Sequence, residues 1–274
     1  MHTIWLGATM ERVITLTTDF GTQDHYVGTM KGVILNINRS AQIVDICHSL
    51  PSFDVLEGAL TIAEAYSYFP PGTVHLVVVD PGVGSARRPI LVDTGKYRFV
   101  APDNGVLSFV YEREEHFLVR HVTAEHYFLQ PISATFHGRD IFAPVAGYIS
   151  KGVSLPMLGE EIDDYVRFAI RPPQPAGEKE LTGVVLKVDK FGNLVTNIRS
   201  QDVPALSKEP PPGFRIEVGS GEVRSIKPTF AAGQPQEVFA LWGSMGFLEI
   251  ASNCGSAAQI LSAGKGAKVA LFFS

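Results

Sequence analysis

Residues 73–79 read TVHLVVV and stop abruptly at Asp80-Pro81-Gly82. A run so continuously apolar has no polar face to offer water, so as a strand it must be covered on both sides. A parallel sheet with helices on each face meets that demand, and the flanking segments provide the parts. Upstream, residues 12–18 (RVITLTT) read as a strand ended by Asp19-Phe20-Gly21, residues 25–39 as a helix, and residues 42–47 as a second strand. Asp54 followed three residues later by Glu57 resembles a capping box. Leu56, Ala59, Leu60 and Ala63 then form one apolar helical stripe. Further strands are predicted at residues 90–93 and 117–122, and a helix at 140–150. This alternation predicts an α/β layered domain with a mostly parallel sheet over residues 11–170.

Beyond residue 170 the texture changes. Residues 171–180 (RPPQPAGEKE) are Pro-rich and polar and read as a linker. Short β-type segments broken by glycines follow, among them LTGVVLKVD, FGNLVTNI, FRIEVGSGEV and KVALFF, with a loop at residues 208–213 (KEPPPG). Regular short strands with little helical periodicity predict a smaller β-barrel or sandwich over residues 181–274. No internal repeat of solenoid length is present.

Composition narrows the function classes. The chain has 274 residues, 45% apolar and 19% charged, with a net charge of −5. No Lys/Arg-rich run marks a nucleic-acid partner. The two cysteines, Cys47 and Cys254, form neither a zinc spacing nor a disulfide framework. No stretch nears the roughly 20 apolar residues that span a bilayer. Residues 1–9 lack the features of a signal peptide and read as an extension before Met10, so a soluble, cytoplasmic setting is expected.

Three polar clusters stand where strands end, the place at which an open α/β sheet presents its ligand site. They are Thr18-Asp19-Phe20-Gly21, the loop from Asp80 to Arg87 (DPGVGSAR), and Thr135-Phe136-His137-Gly138-Arg139-Asp140. Asp80 and Arg87 can meet if their loop folds back, the guanidinium holding the carboxylate bidentately. His137 offers an imidazole that titrates near neutrality. Each also has a plainer reading, because Asp-Pro-Gly makes turns and lone histidines are often structural. His116, His121 and His126 repeat at a spacing that turns successive rings apart. HExxH, paired CxxC, Walker A, GxSxG and the full dinucleotide fingerprint are all missing, which disfavours a metal site, a serine hydrolase and a nucleotide-binding oxidoreductase.

With these clusters, seven segments in order resemble the adenosine-forming S-adenosyl-L-methionine hydrolases, also called S-adenosyl-L-methionine hydroxide adenosyltransferases, relatives of the fluorinases and chlorinases. They are ITLTTDFGTQDHYVGTMKGVI, VDICHSLPSFDVLEGA, VVVDPGVGSARRPI, APDNGVLS, TFHGRDIFAP, VDKFGNLVTNI and GFLEIASNCGSAA. The resemblance implies an N-terminal α/β domain, a C-terminal β-barrel, and a homotrimer with active sites between subunits. It places Asp80, Arg87 and His137 on the catalytic triad and Asp19 on the carboxylate that binds the ribose hydroxyls. Asp189, Phe191 and Asn193 fall on positions contacting methionine and adenine. Ser244, Glu249, Ser252 and Asn253 fall in the other substrate-binding segment, and Phe53 in a substrate-contacting region. S-adenosyl-L-methionine is then the substrate, with no cofactor and no metal.

The halide-using relatives carry Tyr where Asp80 stands, and the fluorinase carries Ser, a fluoride donor, where Gly138 stands. A carboxylate repels a halide but accepts a proton from water, so the expected reaction is hydrolysis by in-line attack of water on C5′. A halide-dependent adenosyl transferase and a non-catalytic S-adenosylmethionine or adenosine sensor are the competing readings.

Overall fold

The computed structural model describes residues 13–208 and 213–273. The proposed extension at residues 1–9 lies outside these residues, as does most of the loop at 208–213. The chain divides into two compact units, Met1–Ala169 and Ile170–Ser274.

In the first unit the chain runs β1 (Val13–Thr18), α1 (Tyr26–Ile37), β2 (Gln42–Cys47), α2 (Val55–Ala65), β3 (Val74–Val78), β4 (Pro89–Asp93), β5 (Arg98–Pro102), α3 (Ser108–Arg113), β6 (Leu118–His121), α4 (Ala143–Ser150) and β7 (Glu161–Ile162). These strands form one seven-stranded sheet in the order β2-β1-β3-β5-β4-β6-β7. Neighbours from β2 to β5 are parallel, whereas β4, β6 and β7 are each antiparallel to the strand beside them. β3 is buried along its whole length, as its apolar run requires. Val74, Leu76 and Val78 pack with Val27, Met30 and Ile34 of α1 and Val145 and Ile149 of α4. Val77 and Val79 point the other way, toward Ile62 of α2 and Val110 of α3. Alternation of side chains along the strand therefore feeds two cores, one on each face of the sheet.

Asp54 caps α2, its Oδ1 accepting the Glu57 N–H at 3.1 Å. Ala59, Leu60 and Ala63 of the expected stripe are buried. The helix expected at 140–150 is entered through a π-helical turn, Gly138–Phe142, that starts immediately after His137.

The second unit contains β8 (Gln174–Gly177), β9 (Glu180–Val188), β10 (Leu194–Arg199), β11 (Phe214–Val218), β12 (Gly221–Val223), β13 (Val238–Trp242), β14 (Phe247–Ser252), α5 (Ala257–Ile260) and β15 (Lys268–Phe273). The strand order is β12-β11-β15-β9-β10-β14-β13, with β8 beside β9, and all these pairs are antiparallel. Chain just beyond β12 returns to β13: Ala240 donates to Ser225 O at 2.9 Å and Lys227 donates to Ala240 O at 2.8 Å. That contact brings the two ends of the sheet together as a barrel around Val185, Leu194, Ile216, Leu248, Ile250 and Leu271. β8 falls inside the stretch read as a linker. It is an exposed flanking strand, where Pro175 is tolerated because an edge leaves some backbone groups unpaired.

Candidate active site

β1 and β3 are adjacent, Thr18 lying opposite Val78 in parallel register. From β1 the chain steps to β2 on one side and then crosses to β3 on the other. The carboxyl ends of β1 and β3 therefore flank a topological switch point, where open α/β sheets bind ligands. Asp19 follows β1 and Asp80 follows β3 within two residues.

The loop after β3 does fold back. Arg87 Nε lies 3.0 Å from both Asp80 oxygens, and Nη2 lies 2.5 Å from Oδ2. The same Nη2 donates to His137 Nδ1 at 2.6 Å, and the guanidinium carbon stands 5.0 Å from the centre of the Phe142 ring. The Asp80 and Arg87 side chains are only 5% and 8% exposed, so this is a buried, charge-assisted chain and not a surface pair.

Two local features produce it. Gly84 has φ of +76° and its backbone lies against Ala134. A β-carbon there would stand 2.3 Å from the Ala134 carbonyl oxygen, so the close approach of this loop to residues 133–137 requires glycine. Asp140, fully buried, accepts from Ser133 N–H at 2.8 Å and from Arg139 Nε at 2.6 Å, which fixes the segment leading into His137.

An arginine can only donate, so His137 Nδ1 must be the acceptor in this contact. The neutral ring then carries its proton on Nε2. Burial first, and the Arg87 charge second, hold His137 below the usual histidine range, which favours that neutral form. Asp19 behaves oppositely: burial pushes its carboxyl up, and the Asp80 charge adds to this, against hydrogen bonds from the Phe53 and Asp19 N–H groups. Its Oδ2 accepts from Phe53 N–H at 2.7 Å. Phe53 itself takes a left-handed backbone, φ +69°, and leaves its ring 72% exposed. Asp19, Phe53, Asp80, Arg87 and His137 thus belong to one unit, as two hydrogen-bonded groups whose carboxylates, Asp19 and Asp80, act on each other electrostatically.

In the second unit, Asp189 closes the turn between β9 and β10. Its Oδ1 accepts from the Phe191 and Asn193 N–H groups at 2.9 and 2.8 Å, and its Oδ2 accepts from Asn193 Nδ2 at 2.8 Å. This turn presents Phe191, 77% exposed, over a cavity of about 500 Å³ lined also by Asn193, Phe230, Ser252, Cys254 and Gly255. Ser252 is buried and its Oγ has no hydrogen-bond partner. Asn253 ties down the neighbouring chain, donating to Gly233 O at 2.8 Å and accepting from Gln236 N–H at 2.7 Å. Glu249, buried on β14, is pushed up by burial and by the Asp189 charge. Ser244 is placed apart from the cavity, in the exposed turn joining β13 to β14, at the opposite end of β14 from Ser252. Phe230 was not singled out from sequence. Its signal is an isolated aromatic in a stretch (KPTFAAGQP) otherwise free of large apolar side chains.

Among the described residues, no group of three or more His, Cys, Asp or Glu side chains is disposed to hold a metal ion. No helix among them is long and apolar enough to cross a membrane.

The domain described as "SAM hydroxide adenosyltransferase N-terminal domain" matches residues 14–159, and the corresponding C-terminal domain matches residues 183–270. A protein of Methanocaldococcus jannaschii named (R)-S-adenosyl-L-methionine hydrolase is 37% identical, the match covering 91% of this chain and 92% of that protein. A protein of Nocardia brasiliensis named fluorinase is 28% identical, covering 90% of this chain and 92% of its own. The crystal structure of an uncharacterized conserved protein from Thermotoga maritima superposes with a TM-score of 0.86 at 39% identity, covering 94% of this chain and 99% of that one. The chain belongs to the SAM hydroxide adenosyltransferase family.

Proposed function

We infer that this protein hydrolyses S-adenosyl-L-methionine to adenosine and L-methionine, with water attacking C5′ as the C5′–S bond breaks. The observation that carries this reading is the buried Asp80–Arg87–His137 chain at the end of β3. Methionine leaves as a neutral thioether, so its departure needs no acid. The task left to the protein is to align a water and take up its proton, contributions worth about 10²–10⁴-fold for the proton transfer alone.

The hydrogen-bond directions assign the parts. His137 presents an N–H at Nε2 and has its other nitrogen engaged by Arg87, so it orients the water and does not deprotonate it. Asp80 accepts from Arg87 at both oxygens, yet a carboxylate has further lone pairs free to take the proton. The fixed positive charge of Arg87 stabilises developing hydroxide. Asp19 holds the ribose hydroxyls, with Phe53 beside it. In the second unit, Asp189, Phe191, Asn193, Glu249, Ser252 and Asn253 hold the methionine and adenine ends, with Ser244 contributing from the β13–β14 turn, outside the cavity under Phe191. Residues 11–170 act as the catalytic domain and 181–274 as the substrate-binding domain. The working assembly is a cytoplasmic homotrimer with its sites between subunits.

A halide-dependent transferase is the reading that the fluorinase relative invites. Two features oppose it. Asp80 places a carboxylate where the nucleophile would stand, and an anion beside an anion is disfavoured. A β-carbon on Gly138 would stand 3.2–3.3 Å from Met30 Sδ, Phe136 and Phe20, so a fluoride-donating serine fits only if those side chains give way. Incubation of the purified protein with S-adenosyl-L-methionine, chelator and either chloride or fluoride is expected to release equal amounts of adenosine and methionine. Formation of 5′-halo-adenosine, or binding without product, would contradict this function.

A further inference from the structure

His48 immediately follows β2 and its side chain is 4% exposed. It grips the segment after β1 at two points. The imidazole Nδ1 lies 2.8 Å from Oγ1 of the fully buried Thr18, and the His48 carbonyl accepts the Gly21 N–H at 2.7 Å. Asp19 lies between these two points. Thr18 Oγ1 also accepts the Phe20 N–H at 3.3 Å, which leaves the threonine hydroxyl proton to be donated to His48 Nδ1. The ring proton then resides on Nε2, which stands 2.9 Å from Asp45 Oδ1, a close electrostatic contact without hydrogen-bond geometry. Lys31 Nζ anchors the other Asp45 oxygen at 2.6 Å.

We propose that His48, backed by Asp45 and acting through Thr18, is a positioning residue that fixes the Asp19 carboxylate for recognition of the ribose hydroxyls. The proposal rests on the reading of Asp19 as the ribose-binding carboxylate. Asp19 needs such support. Its side-chain ties are backbone N–H groups, that of Phe53 at 2.7 Å and its own, with no side-chain donor against it among the described residues, while the Asp80 charge repels it. A carboxylate that must meet two adjacent hydroxyls at once tolerates little rotation, since misplacement forfeits the second bond.

The test separates positioning from structural support by changing the substrate. Thr18→Val keeps the side-chain shape and removes the hydroxyl. It should raise KM for S-adenosyl-L-methionine about five- to tenfold, the worth of one ordinary hydrogen bond, with kcat within about twofold. Thr18→Ser should restore the parent KM. With the 2′-deoxyribose analogue of S-adenosyl-L-methionine, Thr18→Val and parent should have equal KM. If Thr18→Val loses its cooperative melting transition, Asp45→Asn, at the partly exposed end of the chain, must show the same substrate-dependent rise. An equal rise for both substrates, or no rise for either, overturns the proposal. Asp19→Asn run alongside distinguishes the two levels: if it leaves KM for S-adenosyl-L-methionine unchanged, the assignment of Asp19 to the ribose has failed, whatever Thr18 does.

Discussion

Replacing Arg87 by methionine asks whether Asp80 is a buried, charge-paired group or a carboxylate on a surface turn. The structure gives the magnitude. An exposed Asp/Arg pair contributes about 0–1 kcal/mol, whereas removing one partner of a buried pair costs about 3–5 kcal/mol because the other charge is left uncompensated. Asp80 at 5% and Arg87 at 8% side-chain exposure belong to the second case. Methionine retains much of the arginine stem and loses the guanidinium with its contact over the Phe142 ring, so the loss reports on charge, hydrogen bonding and that contact. Thermal unfolding followed by far-ultraviolet circular dichroism is the assay. For a unit of the size of Met1–Ala169, each kcal/mol shifts Tm by about 2–4 °C, so Arg87→Met should melt about 6–20 °C below the parent. Removing the stranded charge as well, in Asp80→Asn/Arg87→Met, should recover more than half of that shift while hydrolysis stays abolished. A single variant melting within about 2 °C of the parent would refute the reasoning.

Asp80→Asn should lower turnover at least about 10²-fold with substrate affinity retained, measured by product release and calorimetry. Adding His137→Ala should cost little more, because the triad acts as one unit. His75, packed against Tyr66 and Phe99, is pushed by burial down to about 3. The unfolded chain therefore binds a proton below pH 6.5 that the native state refuses. This contribution lowers stability by about 1.4 kcal/mol per unit as pH falls from 6.5 toward 3. Urea denaturation of His75→Phe between pH 6.5 and 4.5 should show a slope shallower by that amount; an unchanged slope would contradict it. Light scattering should give three times the 29.8 kDa chain mass, and a fully active monomer would contradict the shared-site assembly.

What could be read in the sequence was local. β3 was legible because its apolar run leaves no exposed face, and α2 because Asp54 announces its start. β5 was missed: RFVAP is five residues long and ends in proline. α3 was missed because it is one and a half turns long and no side chain caps it. β8 hid in a Pro-rich stretch because flanking strands need less regular sequence. Asp19, Asp80 and His137 stood out as polar residues where strands or helices begin and end. The meeting of Asp80 and Arg87 with His137 was implied by the resemblance and not by local sequence, since it depends on Gly84 seating against Ala134, fifty positions away. The direction of the Arg87–His137 bond, and hence the division of labour between Asp80 and His137, needed three-dimensional geometry. The same holds for the cavity under Phe191, which is completed by Phe230 and Cys254 from distant loops.

The source of the oxygen in the product tests the central claim most directly. The purified enzyme turning over S-adenosyl-L-methionine in H₂¹⁸O, with mass spectrometry of both products, reports which bond breaks and what attacks. If Asp80, Arg87 and His137 direct water to C5′, the heavy oxygen appears in the adenosine 5′-hydroxyl and methionine remains unlabelled. Adenosine released without the label would contradict attack by water at that carbon.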